Sequence, residues 1–191
     1  MIRNRYELLE YLSEDSKNYV SVASLGCFDK IKKYIWRLLF TQPANDQKLI
    51  WNYIKTLRHA EYAINSGRPI VKIYWLWKLR NLSYKLGYQI PVNVFDKGLT
   101  IFHWGSIIVN ANARVGKNCM LQPQITIGQK QDGEAPIIGD NCYIGSGARI
   151  IGNITIGDNV TIAPNAIITK SFPSNCVLGG VNKILKYKEK L

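Results

Sequence analysis

The chain has 191 residues, is 47% hydrophobic, and carries 25 Lys/Arg against 13 Asp/Glu, a net charge of +12. That apolar content suits one good core or two small ones and excludes a disordered chain. No apolar run approaches the roughly 18–20 residues that cross a bilayer, and the N-terminus bears acids from Glu7 onward without an apolar stretch. Neither a spanning helix nor a secretory signal is expected, and the cytoplasm is the expected location.

Residues 1–88 read as an α-helical domain. Asn4–Leu12 is a short amphipathic start, and Asp29–Phe40 mixes basic and apolar residues at helical spacing. Asp46 is placed to cap a longer helix to about Ile64, which the cluster Ser66-Gly67-Arg68-Pro69 ends. A further helix is predicted from about Ile70 to Leu86, with Gly87 as its C-terminal cap. Eight of the twelve excess positive charges fall in this half. They would attract nucleic acid, an anionic membrane or a phosphorylated ligand, and charge alone does not choose among these. The four cysteines, Cys27, Cys119, Cys142 and Cys176, form no CxxC pair and adjoin no histidine. Buried free thiols are expected, and no metal.

The period changes in residues 89–181. From Ile138 an isoleucine recurs every six residues, at 144, 150, 156, 162 and 168, and Val109, Val115, Leu121 and Ile127 hold the same frame upstream. Four residues after these anchors lies a second, smaller inward candidate: Ala113, Cys119, Ile125, Cys142, Ala148, Ile154, Val160 and Ala166. Six fits neither a helix nor simple strand alternation. It fits a parallel β-helix of hexapeptide repeats, in which each short strand forms one wall of a coil and the anchors stack inside. The frame jumps by eleven between Ile127 and Ile138, so residues 129–137 are read as a loop ejected from the coil. Residues 182–191 form a tail. The fold class is α+β, helices first and coil second.

The stretches GLTIFHWGSIIVNANARVGKNCMLQPQITIG and IIGDNCYIGSGARIIGNITIGDNVTIAPNAIITK resemble the serine acetyltransferase group of left-handed β-helix acyltransferases, most of all its polysaccharide O-acetyltransferase branch. The likeness covers about residues 88–181. It implies a left-handed coil, a homotrimer, and acetyl-CoA lying between neighbouring coils. It places the catalytic histidine at His103, in Ile101-Phe102-His103-Trp104-Gly105. A hydroxyl attacks a thioester poorly unless its proton is removed as it attacks, and imidazole suits that task. His103 also lies one period before Val109, where the frame expects an aliphatic residue. His59, between Arg58 and Glu61 on a predicted helix, reads as a solvated or salt-bridged surface residue.

By the same resemblance Lys170 and Lys183 would meet the phosphates of coenzyme A. The pantetheine arm would run beside Gly145, Ser146, Ala163 and Pro164, and the acetyl end would meet Gly128 and Gln129, where a backbone N–H could hold the oxyanion. Three departures stand out. Tyr88 occupies the place of an aspartate that the serine-specific enzymes carry fifteen residues before the histidine, and Ala135 occupies the place of their second histidine. Gly180-Val181-Asn182-Lys183 replaces their usual Gly-Val-Pro-Ala-Lys ending. The first two lead to the expectation of a saccharide acceptor: a hydroxyl of a capsular, exo- or lipopolysaccharide precursor, free or lipid-linked. A serine O-acetyltransferase of cysteine biosynthesis and a non-catalytic binding module are the alternatives.

Ile73-Tyr74-Trp75-Leu76-Trp77-Lys78-Leu79-Arg80 is both aromatic and basic, as is Asp29–Phe40. Internal packing of these aromatics is the favoured reading. The other is a peripheral contact with the inner face of a membrane. No nucleic-acid partner is expected, because no binding motif accompanies the charge.

Overall fold

A computed structural model describes residues 1–19, 47–130 and 133–189. Among the described residues three helices come first: α1 Arg5–Ser16, α2 Gln47–Asn65 and α3 Pro69–Leu86. The Asn4 side chain accepts from the Glu7 N–H and caps α1. Gly87, with φ of 75° in the left-handed region, ends α3 and turns the chain directly into the coil. The predicted helix Asp29–Phe40, the capping role of Asp46, and Cys27 all lie outside the described residues.

The coil has three walls of parallel strands. The first stacks Tyr88–Gln89, Ile107–Val109, Ile125–Gly128, Arg149–Ile151 and Ile167–Ile168. The second stacks Arg114–Val115, Ile137–Ile138 and Thr155–Ile156. The third stacks Thr100–Ile101, Met120–Leu121, Tyr143–Ile144, Thr161–Ile162 and Cys176–Gly179, and Lys183–Tyr187 closes it by pairing antiparallel with the last. The fold is the left-handed parallel β-helix expected. Every aliphatic anchor of the six-residue frame is buried, and so is every second inward residue. The three described cysteines are free and buried, two of them in the small-residue slot.

The corners explain the glycines. A Cβ on Gly139 would stand 2.8 Å from the backbone of Gly157 in the next turn, and one on Gly145 would stand 2.7 Å from the Pro164 nitrogen. Strands spaced about 4.8 Å apart leave no such room. At one corner Asn118, Asn141, Asn159 and Asn175 all adopt positive φ, and their amides pair along the stack, Asn118 to Asn141 at 3.0 Å and Asn159 to Asn175 at 2.8 Å. Asn tolerates this conformation better than other non-glycine residues. The adjacent Asp140 and Asp158 carboxylates accept the Lys117 and Asp140 backbone N–H groups at 2.7 and 2.8 Å, so each turn holds the one below.

The helices seal the open end of this stack. Asp15 on α1 accepts the Gly98 and Leu99 N–H groups at 2.7 and 2.9 Å, and the Tyr19 hydroxyl sits on the backbone of Ile101. An unpaired edge strand is thereby covered. Arg58 of α2 is fully buried and bonds to Asp15 (2.7 Å), to Glu61 (2.9 Å) and to the carbonyls of Phe95 and Asp96 (2.8 and 2.7 Å). One guanidinium therefore ties α1, α2 and the first turn together. His59 differs from expectation. It is half-buried, its Nδ1 meets the Lys55 carbonyl at 2.7 Å, and its ring stacks on Trp75 of α3 at 4.4 Å. Packing of α3 accounts for Trp75, Leu76, Leu79, Leu82 and Leu86, but Ile73, Tyr74 and Trp77 are exposed, against the packing expectation.

Removing Arg58 leaves two buried carboxylates without a counter-ion. Arg58→Ala is expected to cost about 3–5 kcal/mol in denaturant unfolding. A loss below about 1 kcal/mol would mean that the cluster does not hold the helices on the coil. Burial pushes the Cys142 thiol up to about 11 and the Cys119 thiol well above its ordinary value. Alkylation of the native protein at mildly basic pH, mapped by peptide mass, should therefore spare both until the chain is unfolded. Rapid native labelling of either would contradict the closed coil.

Candidate active site

His103 is not in the aliphatic slot that the frame assigned to it. Ile101 fills that slot, buried and paired with Leu121. The reason is a local lengthening of the chain. Ile101 pairs with a residue twenty positions on, whereas Val109 pairs with Ile127, eighteen on. The corner between them holds two residues more than a regular corner, and His103 and Trp104 are pushed out to solvent there, Trp104 at 62% exposure. The bulge is anchored at its base. Phe102 N–H donates to the Leu121 carbonyl, Gly105 N–H to the Leu86 carbonyl at 2.9 Å, and the Tyr88 hydroxyl to the His103 carbonyl at 2.9 Å. Tyr88 itself is buried edge-on against Tyr53. The backbone of His103 is fixed, and among the described residues no hydrogen bond engages its imidazole. A base with a fixed root and a free ring can meet an incoming hydroxyl.

The other candidate residues divide into two groups. Gly145 and Ser146 lie at the same corner two turns above His103, roughly 10 Å along the stack, and Ala163 and Pro164 lie one turn further. Lys183 begins the closing strand opposite Gly179, and the Ala163 N–H donates to the adjoining Leu178 carbonyl, so Lys183 stands near the top of this column. A slim chain laid along this corner would pass all of them. Gly128, Gln129 and Lys170 lie at the far edge of the first wall, around the next corner. One chain therefore does not bring them to His103.

Gly145 is small for a reason other than ligand approach, since its Cβ would collide with the turn above. Gly128 has a softer limit: a Cβ there would stand 3.0 Å from the terminal methyl of Ile151. The ejected loop is tied at both sides. Asn110 bonds Gln129 at 3.0 Å, Asn112 bonds the Gly133 carbonyl at 3.0 Å, and Asn153 reaches Glu134 from the turn above. Ala135 is buried where the loop re-enters the wall. Sequence reasoning missed these asparagine tethers and the buried Arg58. The extra two residues before Val109 were the signal for the bulge, visible as the eight-residue gap from Ile101.

Residues 135–170 match the family described as bacterial transferase hexapeptide (six repeats). A serine acetyltransferase from Synechococcus elongatus is 33% identical over 88 residues, which is 44% of this chain and 36% of that relative. The chain thus spans well under half the length of that protein. Among solved structures, the serine acetyltransferase of Neisseria gonorrhoeae in complex with serine matches 95% of this chain and 70% of its own, at 24% identity and a TM-score of 0.64. The Brucella abortus enzyme in complex with coenzyme A matches 97% of this chain and 69% of its own, at 21% identity and a TM-score of 0.66.

These likenesses correct the expectation of a saccharide acceptor, because the matching proteins are serine acetyltransferases. The expectation rested on two missing side chains. Both positions have structural occupants here: the Tyr88 hydroxyl grips the His103 carbonyl, and Ala135 packs against the coil. Each of the two positions thus has a structural contact of its own. Residues 135–170, the stretch that matches that family's repeats, lie within the coil.

Proposed function

We propose that the protein is an acetyl-CoA-dependent O-acetyltransferase of the serine acetyltransferase kind, with the hydroxyl of L-serine as acceptor. The observation that carries this reading is the two-residue bulge, which presents His103 at the foot of a corner column in a coil related to those enzymes. His103 takes the proton from the serine hydroxyl as the oxygen attacks the thioester carbonyl. The tetrahedral intermediate collapses, the C–S bond breaks, and the imidazolium returns its proton to the leaving thiolate of coenzyme A. The arm of coenzyme A lies along Gly145, Ser146, Ala163 and Pro164, with Lys183 at its phosphate end.

Gly128, Gln129 and Lys170 join the site only from a second copy, which is the reason to propose a homotrimer. The outer row of the first wall exposes Ile108 and Ile167, apolar surface suited to cover by a neighbouring coil. Among the described residues no group of side chains is arranged to hold a metal ion, and this chemistry calls for none. No described helix is long and apolar enough to cross a membrane.

His103→Ala is expected to keep a mass of three chains of 21.7 kDa in light scattering and to keep acetyl-CoA binding. It should lower acetyl transfer to L-serine by about two to four orders of magnitude. Near-normal transfer by a trimeric His103→Ala protein would refute the mechanism. A stable wild-type monomer would remove the site shared between copies.

A further inference from the structure

Among the described residues, the outward side of α3 has no partner. Ile70, Ile73, Tyr74, Trp77 and Tyr84 are between 53% and 82% exposed, and their spacing places them along one side of the helix. The opposite side is buried through Leu79, Leu82 and Leu86. A helix apolar on both sides has more oily surface than one domain can cover. Some of the polar atoms that do lie on it belong to cations. The Arg80 guanidinium lies over the Tyr84 ring at 5.6 Å, and Lys78 lies over Trp75 at 5.0 Å.

The charge around this stripe is one-sided. Residues 47–86 contain Lys48, Lys55, Arg68, Lys72, Lys78, Arg80 and Lys85 besides the buried Arg58. Their single acid is Glu61, which is buried against Arg58. A second copy placed on this face by a two-fold axis would set these cations against themselves with no exposed acid of residues 47–86 between them. A nucleic acid would be served by the aromatics, but exposed Ile70 and Ile73 on a convex helix offer bases nothing to stack on. An anionic lipid surface satisfies both features. Its headgroups neutralise the lysines and arginines, and its acyl boundary takes the isoleucines while Trp77 and the tyrosines lie at headgroup level.

We propose that α3 docks the protein on an anionic lipid bilayer, with Ile70, Ile73 and Trp77 entering the interface and Arg80 and Lys85, which flank the stripe, meeting the headgroups. Ile70, Ile73 and Trp77 lie nine or more residues along α3 from Leu86, whose carbonyl anchors the His103 bulge, and the contact does not depend on the proposed reaction.

Sedimentation with phosphatidylcholine vesicles containing about one-third phosphatidylglycerol tests the proposal, with pure phosphatidylcholine as the comparison. The wild type is expected to bind the anionic vesicles, to bind the neutral ones far more weakly, and to be released by salt. Ile73→Ser/Trp77→Ser should lower vesicle affinity about tenfold or more, and Arg80→Glu/Lys85→Glu should do the same. All these side chains are exposed, so both proteins should keep the wild-type circular dichroism. Failure of the wild type to bind anionic vesicles would overturn the proposal. So would binding that responds to the charge variant and ignores the apolar one, since that is adsorption without docking. If instead Ile73→Ser/Trp77→Ser reduces the molar mass in solution and leaves vesicle binding intact, the face belongs to a second copy and the proposal fails.

Discussion

A coil that advances by one strand spacing per turn has almost no room at its corners, and the rest of this molecule follows from that limit. Gly139 and Gly145 are small because any larger residue would meet the backbone of the next turn below about 3 Å. The asparagines take positive φ at the corner that holds Gly139 and pair along the stack. With the corners fixed, each wall contributes one aliphatic anchor per strand, and the interior is a column of Ile, Leu and Val with small residues between them. Such a column is stable along its length and unsatisfied at its ends. The lower end is where the helices attach, through the Asp15 carboxylate, the Tyr19 hydroxyl and the Arg58 guanidinium.

So strict a lattice makes its exceptions informative. Two of them lengthen the chain. The corner after Ile101 is two residues too long and holds His103 in solvent on a pinned backbone. The stretch after Gly128 is longer still and forms the loop tethered by Asn110, Asn112 and Asn153.

Much of the coil was legible in the sequence because its constraint repeats. Six-residue spacing of Ile138 through Ile168 names the anchors, and every one of them is buried. The helix from Ile70 and its glycine cap were legible for a local reason, the conformational freedom of Gly87. The position of His103 was misread because the frame was extended downward past an insertion that breaks it, although Ile101 already marked the slot. The Arg58 cluster was hidden because its partners Asp15 and Glu61, with the carbonyls of Phe95 and Asp96, come from distant segments and show no periodicity. The exposure of Trp77 was misjudged because burial of an aromatic depends on whether the fold has surface left to cover it. The acceptor was misjudged because Tyr88 and Ala135 were read as absences, and the structure gives each a contact of its own.

The coil, the released histidine and the corner column together make acetyl transfer to a small hydroxyl amino acid the central claim. The direct measurement is release of coenzyme A from acetyl-CoA at near-neutral pH, with and without L-serine, with the acetylated product identified by mass. The account predicts release that depends on L-serine and yields O-acetylserine. Release that ignores L-serine while another hydroxyl compound is acetylated would contradict it.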